Sequence, residues 1–172
     1  RVHPVKNQQL LFDTFDRLIY EGEHVLLVVI GKGYDKEPFV KYNAHPGIHL
    51  LGEKRNVGDY LASADYFIMS SKMEGLPISL LEAMSMGVIP VSTPAGGVCD
   101  VIRNGENGYL SVSHTANDYY HTVKDAIANS KKVSSIAIKQ EYQEHYSMVA
   151  CAKKYFQLFG GIACRVNGLQ GT

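Results

Sequence analysis

One uninterrupted apolar segment near the start of the chain restricts the possible folds more than any other feature. His24 to Ile30 reads HVLLVVI, is rich in β-branched residues, and is followed by Gly31-Lys32-Gly33. A strand with one face in water alternates apolar and polar residues, whereas a continuous apolar strand is typical of a parallel sheet covered on both faces. The segment therefore predicts a buried strand of a parallel sheet.

Apolar runs and amphipathic stretches alternate over the first two thirds of the chain. Leu10, Leu11, Phe15, Leu18 and Ile19 recur at helical spacing, and Gly22 follows as a stop signal. The further predicted helices are Pro38 to Asn43, Asn56 to Ala64, Pro77 to Met86 and Gly97 to Arg103, and the further strands are Ile48 to Leu51, Tyr66 to Ser70, Val88 to Ser92 and Gly108 to Val112. This alternation predicts a Rossmann-like, three-layer α/β fold with a parallel sheet and right-handed crossovers.

The chain has the size and composition of one globular domain. It has 172 residues, is 45% hydrophobic and carries a formal net charge of +0, which disfavours a disordered chain and a dedicated nucleic-acid-binding protein. We expect the α/β part over residues 1–113 and a helical tail over residues 115–160. The two apolar stripes predicted for the tail, as core or docking faces, are Tyr119, Tyr120, Val123, Ala126 and Ile127, then Val149, Ala152, Tyr155, Phe156 and Phe159.

Two common kinds of site are disfavoured by residue spacing. The three cysteines form no CxxC pair or metal-ligand spacing, which favours buried structural thiols in a reducing cytoplasm and no metal site. A dinucleotide-binding dehydrogenase is disfavoured because Gly31-x-Gly33 lacks the third glycine and Asp35 is too close to serve as the ribose acid.

The most informative stretch is Ser71 to Ala83, which follows a predicted buried strand and opens a helix. Gly75 and Leu76 place backbone N–H groups at the helix start, where unpaired donors and the helix dipole favour an anion such as a phosphate. Glu82 lies five residues past Pro77, about 7.5 Å along the axis. At that distance a carboxylate could accept hydrogen bonds from ribose hydroxyls.

Both glutamates of this stretch also have ordinary interpretations. Glu82 could be exposed or salt-bridged, and Glu74 could be an acid favoured by the helix dipole. The other residues of the helix are mostly apolar, so a buried Glu82 would need a partner, which ligand hydroxyls would supply.

Read together, Glu74-x7-Glu82 in the context S-x-x-E-G-x-P-x-x-x-L-E-A resembles the retaining GT-B glycosyltransferases called group 1, or family four. The run Gly87 to Val91 supports the resemblance, which covers roughly residues 1–160. Other matching segments are Arg1 to Asn7, Gly31 to Gly33, Ile48 to Gly52, Gly96-Gly97, Asn104-Gly105 and Asn107 to Tyr109. Asp100 stands where the family often has Glu, and the resemblance implies that the family's N-terminal acceptor domain is not part of these 172 residues.

The resemblance implies the C-terminal, donor-binding half of a GT-B fold and a role for each matching residue. Arg1 and Lys6 would hold the donor diphosphate, Glu74 would contact the transferred sugar, and Glu82 would hold the ribose. Glu74, Arg1 and Lys6 form the implied catalytic set. The remaining implied donor-binding residues are Gly31 and Gly33 of the glycine loop, Leu51 and Lys54 beside the base, and Gly75, Leu76 and Pro77 beside phosphate and sugar.

The implied activity is transfer of a hexosyl group from a nucleoside-diphosphate sugar to a glycan, lipid-linked or other acceptor in cell-surface polysaccharide or glycoconjugate synthesis. The anomeric configuration would be retained, with front-side attack and a glutamate nucleophile both left open. No D-x-D pair occurs, so no metal or other cofactor is expected, and nucleic acid is not an expected partner. The expected location is the cytoplasm or the inner face of the membrane, and residues 1–172 alone are expected to transfer no sugar.

Two other interpretations remain at this point. A GT-B nucleotide-sugar epimerase would use a similar domain, although the Ser71 to Ala83 context favours a transferase. A non-catalytic nucleotide-sugar-binding module would bind the donor without transferring its sugar.

Overall fold

Strands and helices alternate along the computed structural model, which describes residues 2–167, with side chains described for residues 2–159. The strands are β1 (Leu27–Ile30), β2 (Ile48–Gly52), β3 (Tyr66–Met69), β4 (Ile89–Ser92) and β5 (Tyr109–Leu110). The α-helices are α1 (Gln8–Tyr20), α2 (Val57–Ala62), α3 (Ile78–Met86), α4 (Ala116–Ala128), α5 (Ser135–His145) and α6 (Met148–Asn167).

All strand pairings described are parallel, which confirms the predicted α/β class. The strands form two sheets, one with the order β1-β2 and the other with the order β3-β4-β5. In the second sheet Tyr66 is paired with Ile89, and Val91 with Tyr109. The central strand β4 is buried at all four positions, as a strand covered on both faces should be.

A single hydrophobic core joins the two sheets and the helices that cover them. In α1, Phe12 and Leu18 are fully buried. The Phe12 ring stacks on Tyr42 with 4.5 Å between centroids, and lies 4.9 Å from the Phe39 ring. These aromatic contacts hold the segment between β1 and β2 against α1.

The helix boundaries follow the predicted stop signals. Helix α1 ends just before Gly22, which has a φ of 88°, and α3 ends at Gly87, which adopts the left-handed conformation with a φ of 76°. The helices predicted over 38–43 and 97–103 are instead short 3-10 helices at Val40–Ala44 and Gly96–Asp100. Segments of five residues are too short for a stable α-helix, so the tighter turn is the usual result.

The apolar segment that predicted the sheet forms a shorter strand than expected. Only Leu27–Ile30 is extended. Leu27 and Val29 are buried in the core, but Val28 is 42% exposed and Leu26 is 60% exposed. The prediction that both faces of this strand are covered is therefore wrong for the described residues, because the core covers only the face that bears Leu27 and Val29.

The predicted helical tail is present, and its apolar stripes have different surroundings. The α4 stripe is buried at Tyr119, Tyr120, Val123 and Ala126, with Ile127 partly buried. The α6 stripe is exposed, with Phe156 at 84%. Tyr142 of α5 and Tyr146, which follows α5, pack partly buried against the core.

The cysteines differ from the predicted buried thiols. Cys99 is exposed and Cys151 is half-buried, and the side chain of Cys164 lies outside the described residues. Within residues 2–167, no helix has the length and apolar character needed to cross a membrane.

Candidate functional site

The candidate site lies at the carboxyl end of β3, where the chain segment before α1 is held against the loop that leads to α3. Ser70 Oγ donates to the carbonyl oxygens of Lys6 and Asn7, at 3.0 and 3.1 Å. The Lys72 N–H donates to the Val5 carbonyl over 2.7 Å. Asn7 adopts the left-handed conformation with a φ of 49°, which asparagine tolerates better than most residues. Lys6 is thereby placed beside the Ser71–Pro77 loop.

Lys6 and Glu74 form the ion pair at the centre of the site. Lys6 Nζ lies 2.6 Å from Glu74 Oε1, and Ser71 Oγ donates to the same oxygen over 2.6 Å. The Glu74 side chain is 12% exposed and that of Lys6 is 42% exposed. Partial burial raises the pKa of Glu74, but the hydrogen bonds from Lys6 and Ser71 and the Lys6 charge outweigh it and hold the pKa below its usual value.

The loop after β4 fixes the backbone of the Glu74 loop from the other side. Thr93 Oγ1 donates to the Ser71 carbonyl over 2.6 Å, and the Gly97 N–H donates to the Glu74 carbonyl over 3.3 Å. A Cβ on Gly97 would lie 2.5 Å from the Gly75 carbonyl oxygen, and one on Gly96 would overlap the Glu74 carbonyl. Both glycines are needed because two backbones cross here without room for a side chain.

Two supporting residues were not predicted from the sequence. Ser71 is part of the motif that suggested the site, but its hydrogen bond to Glu74 depends on a loop conformation that spacing does not specify. Thr93 lies in the loop after a predicted strand, a position that marks the correct edge of the sheet without naming the residue. Its contact with Ser71 depends on the pairing of β3 with β4.

The start of α3 presents free backbone donors beside the ion pair. Among residues 2–159, the N–H groups of Gly75 and Leu76 have no hydrogen-bond acceptor, and α3 has no side-chain cap. A Cβ on Gly75 would meet nothing within 4 Å, so the space above this backbone is open. Pro77 is buried at the helix start with an extended conformation, φ −71° and ψ 124°. Unpaired N–H groups and open space at a helix start can receive an anion.

Glu82 is exposed on α3, which is one of its two ordinary interpretations, so the argument from a buried carboxylate does not apply to it. The helix buries Leu80, Ala83 and Met84, and the Glu82 position lies on the solvent side. Its carboxylate has no hydrogen-bond or ion-pair partner among residues 2–159. The residues next to Glu82 in the sequence are apolar, but only one side of α3 contacts the core. Apolar neighbours in the sequence therefore do not imply that Glu82 is buried.

The other predicted donor-binding residues form a second group beside the ends of β1 and β2. The Gly31 N–H donates to the Gly52 carbonyl over 2.8 Å. A Cβ on Gly33 would lie 3.3 Å from the Val2 side chain, so the glycine loop touches the segment that leads to Lys6. Leu51 is half-buried and Lys54 is exposed. Arg1 lies outside the described residues.

Away from this site, the described part of the chain has no metal-ligand cluster and one further cavity of note. No three His, Cys, Asp or Glu side chains converge there as metal ligands do, and the prediction of no metal stays a prediction. A cavity of about 300 Å³ between β5 and α4 is lined by Asn104, Tyr109, His121 and Asp125 among others, and shares no residue with the predicted site.

The chain matches one family model and resembles both curated proteins and solved structures. The model described as glycosyl transferases group 1 matches residues 1–143. A probable sucrose-phosphate synthase of Thermosipho melanesiensis is 25% identical over 168 residues, covering 92% of this chain and 39% of that protein. The Vi polysaccharide biosynthesis protein VipC/TviE of Salmonella typhi is 41% identical over 109 residues, covering 61% of this chain and 19% of that protein.

The fold resembles that of Anabaena Alr3699/HepE in complex with UDP-glucose. The TM-score is 0.76 at 19% identity, and the match covers 94% of this chain and 47% of that one. At this identity the likeness concerns the fold. The chain spans less than half the length of each of these proteins.

Proposed function

The chain belongs to the group 1 glycosyl transferases, and from that premise we propose that it forms the donor-binding part of a retaining hexosyltransferase. The donor is a nucleoside-diphosphate sugar. It binds where the loop after β3 opens α3, facing the segment that carries Lys6. The complex of the similarly folded Anabaena protein with UDP-glucose supports a nucleotide-sugar donor.

One observation carries this proposal: a cation, a carboxylate and free backbone N–H groups meet beside open space. The Lys6–Glu74 pair lies next to the unpaired N–H groups of Gly75 and Leu76. The ammonium group and the N–H groups suit phosphate oxygens, and the carboxylate suits sugar hydroxyls, because it accepts hydrogen bonds only. A nucleotide sugar carries both kinds of group within one molecule.

In the proposed mechanism, Lys6 and the α3 N-terminus stabilise the leaving diphosphate. Charge grows on the diphosphate as its bond to the anomeric carbon breaks, and fixed donors aimed at that charge lower the barrier. Arg1 adds a second cation to this group. The site requires no metal ion in this mechanism, because the two cations and the N–H groups of α3 neutralise the diphosphate.

Glu74 orients the transferred sugar in this mechanism. When the donor draws Lys6 towards phosphate, Glu74 is left with one hydrogen bond, from Ser71, and accepts others from sugar hydroxyls. The acceptor oxygen attacks the anomeric carbon on the face that the diphosphate leaves, and its proton passes to the leaving phosphate. This front-side route retains the configuration and requires no nucleophile from this part of the chain.

Glu82 holds the ribose, and the loops at the ends of β1 and β2 flank the base. The exposed, unpaired carboxylate of Glu82 is free to accept hydrogen bonds from both ribose hydroxyls. The base side is formed by Gly31, Gly33, Leu51 and Lys54.

The acceptor is a glycan or a lipid-linked sugar in cell-surface polysaccharide synthesis at the cytoplasmic face of the membrane. The similarity of this chain to the Vi polysaccharide biosynthesis protein supports a role in polysaccharide synthesis.

Calorimetry with UDP, GDP, ADP and their glucose conjugates tests the donor site on residues 1–172. We expect measurable binding of at least one nucleoside diphosphate and no transfer to added sugar acceptors. Lys6→Met should weaken that binding by at least tenfold, since it removes one charge-assisted hydrogen bond of about 1.5–3 kcal/mol. Lys131→Met, which removes an exposed cation between α4 and α5 and outside the proposed site, is the matched control. Absence of binding for all six ligands would contradict the proposal.

The ribose assignment has a test of its own. Glu82→Ala should cost about 2–4 kcal/mol of donor affinity, because about two charge-assisted hydrogen bonds are lost. The folded state should be unaffected, since the side chain is exposed and unpaired. The 2′-deoxy form of the bound nucleotide should lose affinity to the wild type but much less to the variant. An unchanged dissociation constant in folded Glu82→Ala would refute the ribose role.

A further inference from the structure

The two oxygens of the Glu74 carboxylate have different surroundings. Oε1 accepts from Lys6 Nζ and from Ser71 Oγ, each over 2.6 Å. Oε2 has no hydrogen-bond or ion-pair partner among residues 2–159. Oε2 is therefore the oxygen that can accept a new hydrogen bond without the loss of an existing one.

The two donors to Oε1 differ in how firmly they are held. Lys6 has a long, flexible side chain that is 42% exposed, so its ammonium group can turn towards a phosphate without a change in the backbone. Ser71 is 2% exposed, and its hydroxyl stands on a short side chain within the protein. A ligand anion can therefore draw Lys6 away from Glu74, whereas the hydrogen bond from Ser71 remains.

The turn from Ser71 to Glu74 is fixed at both ends by the loop after β4. The fully buried Thr93 donates through Oγ1 to the Ser71 carbonyl over 2.6 Å. The Gly97 N–H donates to the Glu74 carbonyl over 3.3 Å. The hydrogen bond between the Ser71 and Glu74 side chains thus joins two residues whose backbone is already held in place.

This hydrogen bond restricts the rotation of the carboxylate. The last torsion of a glutamate side chain has broad, two-fold minima, so an unrestrained carboxylate presents either oxygen over a wide range of angles. With Oε1 bound to Ser71, the carboxylate plane is set and Oε2 faces one direction. An acceptor that is ordered in advance binds a hydroxyl at a lower cost in conformational entropy.

Ser71 also supports the negative charge of Glu74. Partial burial raises the pKa of Glu74, but the hydrogen bonds from Lys6 and Ser71 and the Lys6 charge hold it below its usual value. Lys6 is the charged group that acts on this carboxyl among the described residues, and the loop after β4 contributes Thr93 and Gly97, which do not titrate. Once a phosphate takes Lys6, Ser71 is the protein donor that still opposes the effect of burial.

We propose that Ser71 is a positioning residue, whose hydroxyl holds Glu74 so that Oε2 accepts from a hydroxyl of the transferred sugar. This role rests on the proposed function, since it requires a nucleotide-sugar donor beside Lys6 and Glu74. It concerns the sugar rather than the diphosphate, because the Ser71 hydroxyl acts on the carboxylate and not on the cations or the N–H groups of α3.

Ser71→Ala tests this role through the part of the donor affinity that depends on the sugar. Calorimetry gives the dissociation constants of the nucleoside diphosphate that residues 1–172 bind most tightly and of its glucose conjugate. In Ser71→Ala, the ratio of the two constants should change by at least about fivefold against the glucose conjugate, because the carboxylate is no longer oriented. The affinity for the nucleoside diphosphate itself should change by less than about twofold.

Ser70→Ala is the matched control. Ser70 is likewise buried, at 4% exposure, but its hydroxyl donates to the carbonyls of Lys6 and Asn7. It should weaken both ligands by the same factor and leave their ratio unchanged, since the Lys6 segment serves the diphosphate that both ligands share. Ser71→Cys keeps the size of the side chain but donates only weakly, so it should match Ser71→Ala because the hydrogen bond rather than packing is lost.

A carbon-13 NMR titration of the Glu74 carboxyl measures the same hydrogen bond without a ligand, with Glu74→Gln used to identify the signal. The pKa of Glu74 is lowered in part by the hydrogen bond from Ser71. The titration midpoint should therefore move to higher pH in Ser71→Ala and stay at its wild-type position in Ser70→Ala.

The possible outcomes separate this role from the donor site on which it rests. An unchanged ratio in a folded Ser71→Ala that still binds the nucleoside diphosphate would overturn the role and leave the donor site intact. An equal change of the ratio in Ser70→Ala would reduce Ser71 to a structural part of its loop. A Glu74 midpoint that does not move in Ser71→Ala would contradict the hydrogen bond itself. Absence of nucleotide binding by the wild type would refute the donor site, and the role of Ser71 with it.

Discussion

At the scale of single residues, Gly75 and Gly97 are adjacent in space but need to be glycine for different reasons. A Cβ on Gly97 would lie 2.5 Å from a backbone oxygen, whereas one on Gly75 would meet nothing within 4 Å. The fold therefore explains Gly97. Gly75 is explained by a ligand that approaches its backbone, as the proposed function requires.

This difference predicts opposite effects for two alanine substitutions. Gly97→Ala should destabilise the fold by about 1–3 kcal/mol, because two backbones must separate. Gly75→Ala should change the free energy of unfolding by less than about 1 kcal/mol and weaken nucleotide binding at least tenfold. Urea unfolding and calorimetry measure the two quantities. Tight nucleotide binding by folded Gly75→Ala would argue against the open backbone as the phosphate site.

The Lys6–Glu74 pair predicts a specific pH dependence. The pKa of Glu74 is lowered in the folded chain, so the pair contributes stability that is complete above the unfolded pKa of about 4.5 and is lost as the pH falls through the folded pKa. Glu74→Gln should be less stable than the wild type by about 1 kcal/mol at pH 7, a value reduced by the 42% exposure of Lys6. The difference should shrink below about pH 4.5.

Urea unfolding of both proteins from pH 7 to pH 3 measures this difference. Glu53→Gln is the matched control, because the Lys32–Glu53 pair is exposed on both sides, at 71% and 64%. It should change stability by less than about 0.5 kcal/mol at every pH. A Glu74→Gln effect that stays constant down to pH 3 would contradict the assigned ion pair.

At the scale of secondary structure, α4 carries two neighbouring tyrosines with different surroundings. Both are buried, Tyr119 completely. The Tyr119 hydroxyl has no partner in the described part of the chain, and burial raises the pKa of Tyr119. The Tyr120 hydroxyl donates to Glu21, which also accepts from Lys124. Tyr120 therefore links α4 to the end of α1, and Tyr119 fills space in the core.

The two tyrosines should respond oppositely to the loss of the hydroxyl. Tyr119→Phe should stabilise the fold by about 1 kcal/mol, because an unpaired buried hydroxyl is removed. Tyr120→Phe should destabilise it by about 1–2 kcal/mol, since Glu21 loses a hydrogen bond. The urea midpoints of the two variants measure this. A destabilised Tyr119→Phe would indicate that the hydroxyl has a partner, such as a buried water.

At the scale of the whole molecule, the chain combines exposed apolar side chains with a formal net charge of zero. Phe156 on α6 is 84% exposed and Ile136 on α5 is 70% exposed. The formal net charge is +0 and the sequence pI is about 7.2. Proteins near zero net charge with exposed apolar surface tend to associate. Residues 1–172 should therefore associate most strongly near neutral pH.

Replacing one exposed side chain tests this expectation. Phe156→Ser should reduce self-association, measured by sedimentation at pH 7.2, and change the free energy of unfolding by less than about 0.5 kcal/mol. Ile138→Ser, at a fully buried position of α5, should cost several kcal/mol, about 2–5 by analogy with other core truncations. Unchanged self-association of Phe156→Ser would show that another surface is responsible.

Most of the element pattern was predictable because it depends on local chemistry. Gly22 and Gly87 ended their helices at the expected places, since glycine readily adopts the positive φ of a helix end. The strands β2 to β4 lie within one or two residues of their predicted bounds. The short helices after β1 and β4 were mispredicted because length alone does not distinguish an α-helix from a 3-10 turn.

By itself, the sequence determined the order of the elements, the parallel α/β class and the motif that places Glu74 and Gly75 at a helix start, because each of these depends on residues near one another in the chain. Only the tertiary structure decided that Lys6 pairs with Glu74, 68 residues away, that Glu82 faces solvent, and that the described strands form two sheets. These outcomes depend on how strands pair and which faces the core covers. Such pairings join distant parts of the chain, and no local pattern encodes them.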